Sequence, residues 1–93
     1  MKIKITAVGA LAKSLPHGQV LIEGREFTIQ GVLDALVSKY GKVLMEELFN
    51  NGKIKKEISV LINGRNASTL PDKFKALLKD KDEIIITAYI TGG

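Results

Sequence analysis

The sequence predicts an α+β domain in which one main helix packs across a mixed sheet of four to five strands. Two observations support this prediction. A segment with helical periodicity lies early in the chain, and the most β-prone run, Ile84 to Ile90, lies last. The 93 residues suit one domain with a single modest core, because a hydrophobic content of 45% is that of a globular protein.

The first two elements are predicted to be strands joined in a hairpin. Lys2 to Val8 alternate between polar and apolar side chains, as a strand with one buried face does. The apolar set is Ile3, Ile5 and Ala7. Ala10 to Gly18 contains proline and glycine, which predicts a connection with one helical turn around Leu11 to Ser14. Gln19 to Phe27 is predicted to be the second strand.

The main helix is predicted to begin after Thr28 and to end before Gly41. Its apolar side chains recur at helical spacing along one face, at Ile29, Leu33, Leu36, Val37 and Tyr40. Thr28 suits the N-cap, and Gly41 suits a left-handed position just past the end. A shorter helical stretch is predicted over Val43 to Phe49, ended by the turn residues Asn50-Asn51-Gly52. Lys53 to Glu57 is predicted to be an exposed connector.

The next part of the chain is predicted to return to the sheet. Glu57 to Asn63 alternates as a third strand, and Asn63-Gly64 is a hairpin signal that leads into a short strand around Arg65 to Ala67. Pro71 can occupy the first position of a brief helix, where its missing N–H is not needed. The side chains of that helix predicted to cover the core are Phe74, Leu77 and Leu78.

The last strand follows a turn at Asp80 to Glu83 and is apolar on both faces at its start, which predicts a central position in the sheet. If it lies beside the first strand, the two run parallel. This order of elements is that of a β-grasp fold. We therefore expect a β-grasp domain over residues 1–90, with a flexible tail over residues 91–93 mounted on a rigid strand.

Composition excludes several classes of protein. The chain contains no cysteine, so it has no disulfide, no thiolate metal site and no cysteine nucleophile, and a cytoplasmic location fits best. Met1 to Ile5 alternates charged and apolar residues, which is neither a signal peptide nor a membrane anchor. We expect no membrane partner.

The net charge of +4 raises an acidic protein or a nucleic acid as a partner. The charges are mixed along the chain, and its one dense basic patch, at Lys53, Lys55 and Lys56, is followed at once by Glu57. A solvated surface accounts for this pattern. No aromatic residue is interleaved with lysine or arginine as in a stacking platform for single strands, so nucleic acid is the minor hypothesis.

No internal reaction centre is predicted. The single histidine, His17, lies in a Pro-His-Gly turn and cannot furnish a metal site of the usual ligand count. No serine has the sequence context of a catalytic nucleophile. The carboxylate pair Glu46-Glu47 diverges on a helix, and Arg65 is read as a surface residue or an ion-pair partner, with an anion site as the alternative. We therefore expect no metal and no enzymatic activity.

The sequence ends in Gly92-Gly93. Two glycines form a thin segment that can thread a narrow channel, and the reactive group would then be the terminal carboxylate. Chance also produces such an ending, since glycine is a common residue. A functional role for the two glycines is favoured because no other group of reactive side chains is found in the sequence.

Three stretches of the chain resemble the ubiquitin-like sulfur carrier proteins, most of all the small subunit of molybdopterin synthase. They are Gly18 to Ile22 with Phe27 to Leu36, then Glu47 to Phe49 with Val60 to Arg65, then Leu78 to Ile84 with Thr91 to Gly93. Two departures stand out. Lys81 occupies a position where the family usually has glycine, and Thr87-Ala88-Tyr89 stands where members often carry an aromatic residue and prolines.

This resemblance implies a carrier cycle run by partner enzymes. An adenylating enzyme similar to the ubiquitin-activating kind would use ATP to activate the Gly93 carboxylate, and a sulfurtransferase would convert the adenylate to a thiocarboxylate. The large subunit of molybdopterin synthase would then receive the tail, with Gly92 and Thr91 as the threading segment, and pass the sulfur to a pterin precursor. The chain itself would bind no cofactor.

The resemblance also implies partner contacts on the last strand. Its candidates are Tyr89, Thr87 and Ile85, on the face opposite Ile84, Ile86 and Ile90; core or ordinary surface roles are the alternatives for them. Three other functions remain open. They are a protein modifier joined through Gly93 to lysine side chains, a thiamine-pathway sulfur carrier, and a β-grasp interaction module whose diglycine is inert.

Overall fold

A computed structural model describes residues 1–15 and 18–88 of the chain. Seven strands and two α-helices are present in these residues. The strands are β1 (Lys2–Val8), β2 (Gln19–Glu23), β3 (Phe49–Asn50), β4 (Lys53–Ile54), β5 (Ile58–Ile62), β6 (Arg65–Asn66) and β7 (Glu83–Ala88). The helices are α1 (Ile29–Tyr40) and α2 (Lys42–Leu48), and short 3₁₀ helices cover Gly9–Ser14, Ala67–Thr69 and Lys73–Lys75.

The main sheet has five strands in the order β2-β1-β7-β5-β6. β1 pairs antiparallel with β2 and parallel with β7, and β7 pairs antiparallel with β5. The predicted central place of the last strand and its parallel pairing with the first are therefore confirmed. Because β7 has a partner on each side, its backbone is fixed along its length.

The core lies between one face of this sheet and the helices. It is a single cluster of aliphatic side chains, and α1 contributes Ile29, Val32, Leu33 and Leu36 to it. Ile3, Ile5 and Ile84 of the sheet are fully buried in the same cluster. In the described part of the chain no polar or charged side chain is buried. The predicted α+β fold, with one main helix across a mixed sheet, is confirmed.

Helix α1 has the ends that the sequence predicts. The Thr28 side chain accepts a hydrogen bond from the Gly31 N–H at 3.0 Å, so one donor that lacks a partner within the helix is satisfied. Gly41 has φ +90° and donates its N–H to the Val37 carbonyl at 2.7 Å. This φ suits glycine, and it lets α2 begin at once in a new direction.

Strand β2 is shorter than predicted: it ends at Glu23 and not at Phe27. The backbone of residues 27–29 pairs with a later segment instead. Leu78 donates its N–H to the Phe27 carbonyl at 2.8 Å, and Ile29 donates to the Ala76 carbonyl at 3.1 Å. This tertiary pairing turns the chain away from β1 before α1 begins.

The same pairing corrects the brief helix predicted after Pro71. The structure has a 3₁₀ helix at Lys73–Lys75, and residues 76–78 are extended, with an isolated bridge between Leu77 and Thr28. Successive side chains of an extended segment point to opposite sides. Leu78 is therefore buried as predicted, whereas Leu77 is 65% exposed and does not cover the core.

The connector predicted over Lys53 to Glu57 is wrong in its first part. β3 and β4 form a small hairpin in which Phe49 lies opposite Ile54. Its tip is Asn51-Gly52, where both residues have positive φ, at 54° and 79°. This is the turn that suits the twist of two antiparallel strands.

Candidate partner-binding surface

Ile85 and Thr87, two of the predicted contact residues, lie half-buried in β7. They face away from Ile84 and Ile86, which are 0% and 1% exposed in the core. This is the placement that the sequence predicts. The other predicted site residues, Tyr89, Thr91, Gly92 and Gly93, and the predicted anchor Ile90 lie outside the described residues.

The register of the sheet defines what surrounds Ile85 and Thr87. Ile85 lies opposite Thr6 of β1 and Leu61 of β5, while Thr87 lies opposite Val8 and Ser59. Residues that lie opposite each other share a face of the sheet. We call this side the open face; its central side chains are Thr6, Val8, Ser59, Leu61, Ile85 and Thr87, and its β2 edge adds Gln19 and Leu21 opposite Thr6 and Lys4.

Charge is distributed unevenly along the open face. At the end where β7 begins, Lys2 pairs with Glu23 at 3.6 Å, and Lys4 lies opposite Glu83. The six central side chains listed above are all uncharged, and they extend toward the end of β7 from which the chain continues to residues 89–93. Apolar and hydroxyl groups cost less free energy to desolvate than charged groups do, so such a surface suits contact with another protein.

Two exposed apolar side chains lie on the open face. Val8 is 46% exposed and Leu21 is 56% exposed. Sequence reasoning missed both as contact candidates. The alternation of side chains along a strand could have shown them, because residues two positions apart share a face. Val8 is apolar although Thr6 on its face is polar, and Leu21 is apolar between Gln19 and Glu23.

The start of β7 is held by a network of hydrogen bonds from the neighbouring turns. Asn63 donates its side-chain amide to Asp82 Oδ1 at 3.0 Å and accepts the Glu83 N–H at 3.0 Å. Asp82 Oδ2 accepts the Lys79 N–H at 2.7 Å. The Asn63-Gly64 turn, predicted as a hairpin, has both residues at positive φ and so brings the Asn63 side chain to this point.

Lys81 completes the turn before β7 with φ +70°. A residue with a side chain rarely takes this conformation, and glycine takes it without steric cost. Lys81 donates its N–H to the Lys2 carbonyl at 3.0 Å, and Lys2 in turn donates its N–H to Asp80 Oδ1 at 2.7 Å. The hydrogen bond from Lys2 holds the pKa of the Asp80 carboxyl below its ordinary range.

In the residues that the structure describes, no group of three or more His, Asp or Glu side chains could hold a metal ion. Two lysines of the basic patch, Lys55 and Lys56, line a shallow groove together with Asn50 and Glu57. His17 lies outside the described residues. No helix in the described part of the chain is long and apolar enough to cross a membrane.

The sequence matches no protein-family model and no curated protein. Solved structures do match it. SAMP1 from Haloferax volcanii is 23% identical with a TM-score of 0.84, and the alignment covers 100% of both chains. The small archaeal modifier protein 1 from Methanosarcina acetivorans is 28% identical with a TM-score of 0.83, over 99% of this chain and 96% of that one.

A chain of the BexX/CysO complex from Amycolatopsis orientalis is also similar, at 19% identity and a TM-score of 0.73, over 98% of this chain and 99% of that one. These neighbours confirm the ubiquitin-like β-grasp fold. At the level of the fold they also confirm the resemblance to the ubiquitin-like sulfur carriers.

Proposed function

From the ubiquitin-like β-grasp fold of this chain, we propose that it is a sulfur carrier whose working group is the carboxylate of Gly93. In this proposal Gly93 is the carboxyl terminus of the mature protein. An adenylating enzyme of the ubiquitin-activating kind joins that carboxylate to the α-phosphate of ATP and releases pyrophosphate. The terminal sulfur of a sulfurtransferase persulfide then attacks the acyl carbon and displaces AMP. A thiol cleaves the resulting acyl disulfide, which leaves a thiocarboxylate at Gly93 and a disulfide as the second product.

One observation carries this proposal: the uncharged part of the open face adjoins the strand that leads to the diglycine. An enzyme that binds Val8, Ile85 and Thr87 holds the strand from which residues 89–93 continue. The start of that strand is fixed by Asn63 and Asp82. Binding of the domain therefore positions the tail, and this reduces the entropy lost when the tail enters an active site.

The acceptor that we propose is the large subunit of a molybdopterin synthase, which would take the sulfur for a pterin precursor. The support for this choice is the order and spacing of the sequence motifs from Gly18 to Gly93. The carrier would act as a co-substrate and would supply no catalytic side chain of its own. No bound cofactor is part of the proposal, because ATP is consumed by the activating enzyme.

A second candidate is a protein modifier, in which the activated Gly93 carboxylate is transferred to a lysine amine. The observation that favours it is the structural neighbour named small archaeal modifier protein 1, which is 28% identical over nearly the whole chain. Both candidates share the activation step. They differ in the nucleophile that attacks the adenylate or a thioester formed from it.

Intact mass spectrometry separates these functions. The chain is purified from its own cells, or incubated with the cognate activating enzyme, ATP and a sulfur donor. A carrier gains the mass difference between sulfur and oxygen at Gly93, and the product reacts there with an alkylating agent. Oxidation of Met1 or Met45 adds a nearly equal mass, so the alkylation step distinguishes the two.

Conjugates with a diglycine-linked lysine would support the modifier instead. A terminus that stays unmodified in both settings would contradict both proposals. The matched control is a chain that lacks Gly93. We expect it to fold normally, as followed by circular dichroism, and to accept neither AMP nor sulfur. Loss of folding in this control would mean that the tail is structural.

A further inference from the structure

Strand β2 forms one edge of the main sheet. The Gly24 N–H donates to the Met1 carbonyl at 3.1 Å, so Gly24 and Met1 form a hydrogen-bonded pair. Such pairs alternate with non-hydrogen-bonded pairs along an antiparallel ladder. In the register of β1 and β2, Ile22 and Val20 therefore bond to β1, whereas Gln19, Leu21 and Glu23 direct their N–H and C=O groups away from the sheet.

This edge lacks the usual protection against pairing with another strand. Proteins protect sheet edges with charged side chains, above all lysine, and with proline, bulges or very short strands. β2 has five residues, Gln19–Glu23, with neither proline nor lysine among them, and its one charged residue, Glu23, stands at its end and pairs with Lys2 of the same chain. It pairs with β1 residue by residue without a bulge. Leu21, in its middle, is more than half exposed.

The sequence of β2 is nearly symmetric about Leu21. A polar residue stands at each end, an aliphatic residue stands next to each end, and leucine is central. When a second copy of this strand pairs with it antiparallel, Leu21 lies opposite Leu21 and Val20 lies opposite Ile22. At each end, Gln19 lies opposite the carboxylate of Glu23. We propose that β2 pairs with β2 of a second copy of this chain, about a two-fold axis at Leu21.

The proposed pairing satisfies the outward backbone groups of Gln19, Leu21 and Glu23 in both copies, with about six hydrogen bonds. The two Leu21 side chains lie opposite each other on the open face. Each Gln19 amide donates to a Glu23 carboxylate of the other copy, so no charged pair of like sign is formed at the ends. The two five-stranded sheets become one continuous sheet.

The affinity is expected to be weak, because an interface of one strand on each side buries a small area. We expect a dissociation constant on the order of 100 µM to 1 mM, which is the range of weak association. Sedimentation velocity over a concentration series tests this directly. In NMR spectra, the amide signals of Gln19, Leu21 and Glu23 should shift with concentration while those of Ser59 and Leu61 stay fixed.

Three substitutions test the two-fold register. Leu21→Lys places two cations opposite each other and should weaken the dimer at least about tenfold. Gln19→Glu places a carboxylate opposite Glu23 and should weaken it about threefold, whereas Gln19→Lys creates two opposite-charge pairs and should strengthen it about threefold at low salt. Nonspecific association of a chain with net charge +4 would change in the opposite order, because Gln19→Lys raises the net charge and Gln19→Glu lowers it.

The matched control is Val8→Lys, which adds the same charge at another exposed position of the open face but not at the edge. It should leave the dimer unchanged within about twofold. Thermal melting checks that each variant folds. A chain that stays monomeric at about 1 mM would overturn the proposal. An edge that binds an unrelated extended peptide but not a second copy would overturn it as well. Since no activating enzyme or sulfur donor is used, this outcome is independent of the carrier function.

Discussion

The two faces of β7 share one backbone but differ in their burial and in the side chains that they carry. Ile84 and Ile86 are fully buried against the helices, while Ile85 and Thr87, one residue further along, lie half-buried on the open face. In a strand, adjacent side chains point to opposite sides, so one run of sequence serves two surfaces. The buried face contributes most of the stability. The open face can change its side chains to suit a partner while the fold is kept.

The largest difference between the two faces should appear in stability. Ile86→Ala removes apolar volume from the core and should lower the free energy of unfolding by about 3 kcal/mol. Ile85→Ala removes the same atoms from the open face and should cost about 1 kcal/mol or less. Urea unfolding followed by circular dichroism measures both. Equal losses would contradict the separation of roles between the faces.

The second test concerns partner binding. Val8→Lys places a cation in the uncharged part of the open face and should lower the apparent affinity for the activating enzyme about tenfold, because a charge is desolvated on binding. Its stability should stay within about 0.5 kcal/mol of the unaltered chain. Pyrophosphate release measures the activation step. The control is Leu77→Lys, since Leu77 is also apolar and exposed but belongs to no strand of the main sheet. Unchanged affinity for both variants would contradict the assignment.

A third test concerns the register that assigns each side chain to its face. A slip of one residue would move Ile85 into the core and Ile86 to the open face. Asn63→Ala removes both side-chain hydrogen bonds that fix the start of β7 and should lower the free energy of unfolding by about 1 to 2 kcal/mol. Hydrogen exchange of the β7 amides should accelerate as well. The control is Asn66→Ala on the same hairpin, which removes the cap of the 3₁₀ helix Ala67–Thr69 and should leave the exchange of the β7 amides unchanged. Equal acceleration in both variants would show that the effect is not specific to Asn63.

Lys81→Gly tests the same turn in the opposite direction. Glycine takes the positive φ of this position without steric cost but increases the entropy of the unfolded chain. The two effects oppose each other, and we expect a net stabilisation of about 0.5 kcal/mol. Denaturant midpoints measure it. The control is Lys79→Gly, which lies in the same turn without positive φ and should destabilise the domain.

The smallest expected effect is at acid pH. The pKa of Asp80 is lowered by the hydrogen bond from Lys2, so its ionised form is favoured in the folded state. Its contribution is therefore present above the ordinary value of 3.8 and is lost as the pH falls through the lower folded value. As the pH falls below 3.8, the free energy of unfolding should decline less in Asp80→Asn than in the unaltered chain. Melting temperatures of both forms over an acid pH series measure the difference, and parallel curves would contradict it.

Much of the fold could be predicted because local signals and tertiary packing agree. Thr28 and Gly41 bound α1, Asn63-Gly64 forms its turn, and the run from Ile84 lies at the centre of the sheet. The errors lie where distant segments pair. Residues 27–29 leave β2 for residues 76–78, a contact that no local pattern reports, and this same contact exposes Leu77.

The candidate site could be predicted only in part. Ile85 and Thr87 were placed on the correct face because strand parity is local. Strand parity also places Val8 and Leu21 on this face, but the degree of their exposure depends on how the rest of the chain packs, which no local pattern reports. The roles of Tyr89, Thr91, Gly92 and Gly93 remain predictions.

The parallel pairing of β1 with β7 has a consequence for synthesis. A ribosome makes β1 first and β7 last, and Lys4 lies opposite Glu83 in the finished sheet. Until β7 has left the exit tunnel, neither β1 nor β5 has its central neighbour, and the sheet cannot close. A chain released early would stay open to proteases. Closure of the sheet therefore depends on the strand that leads to the diglycine, and we expect a chain that ends before this strand to be degraded faster than the whole chain.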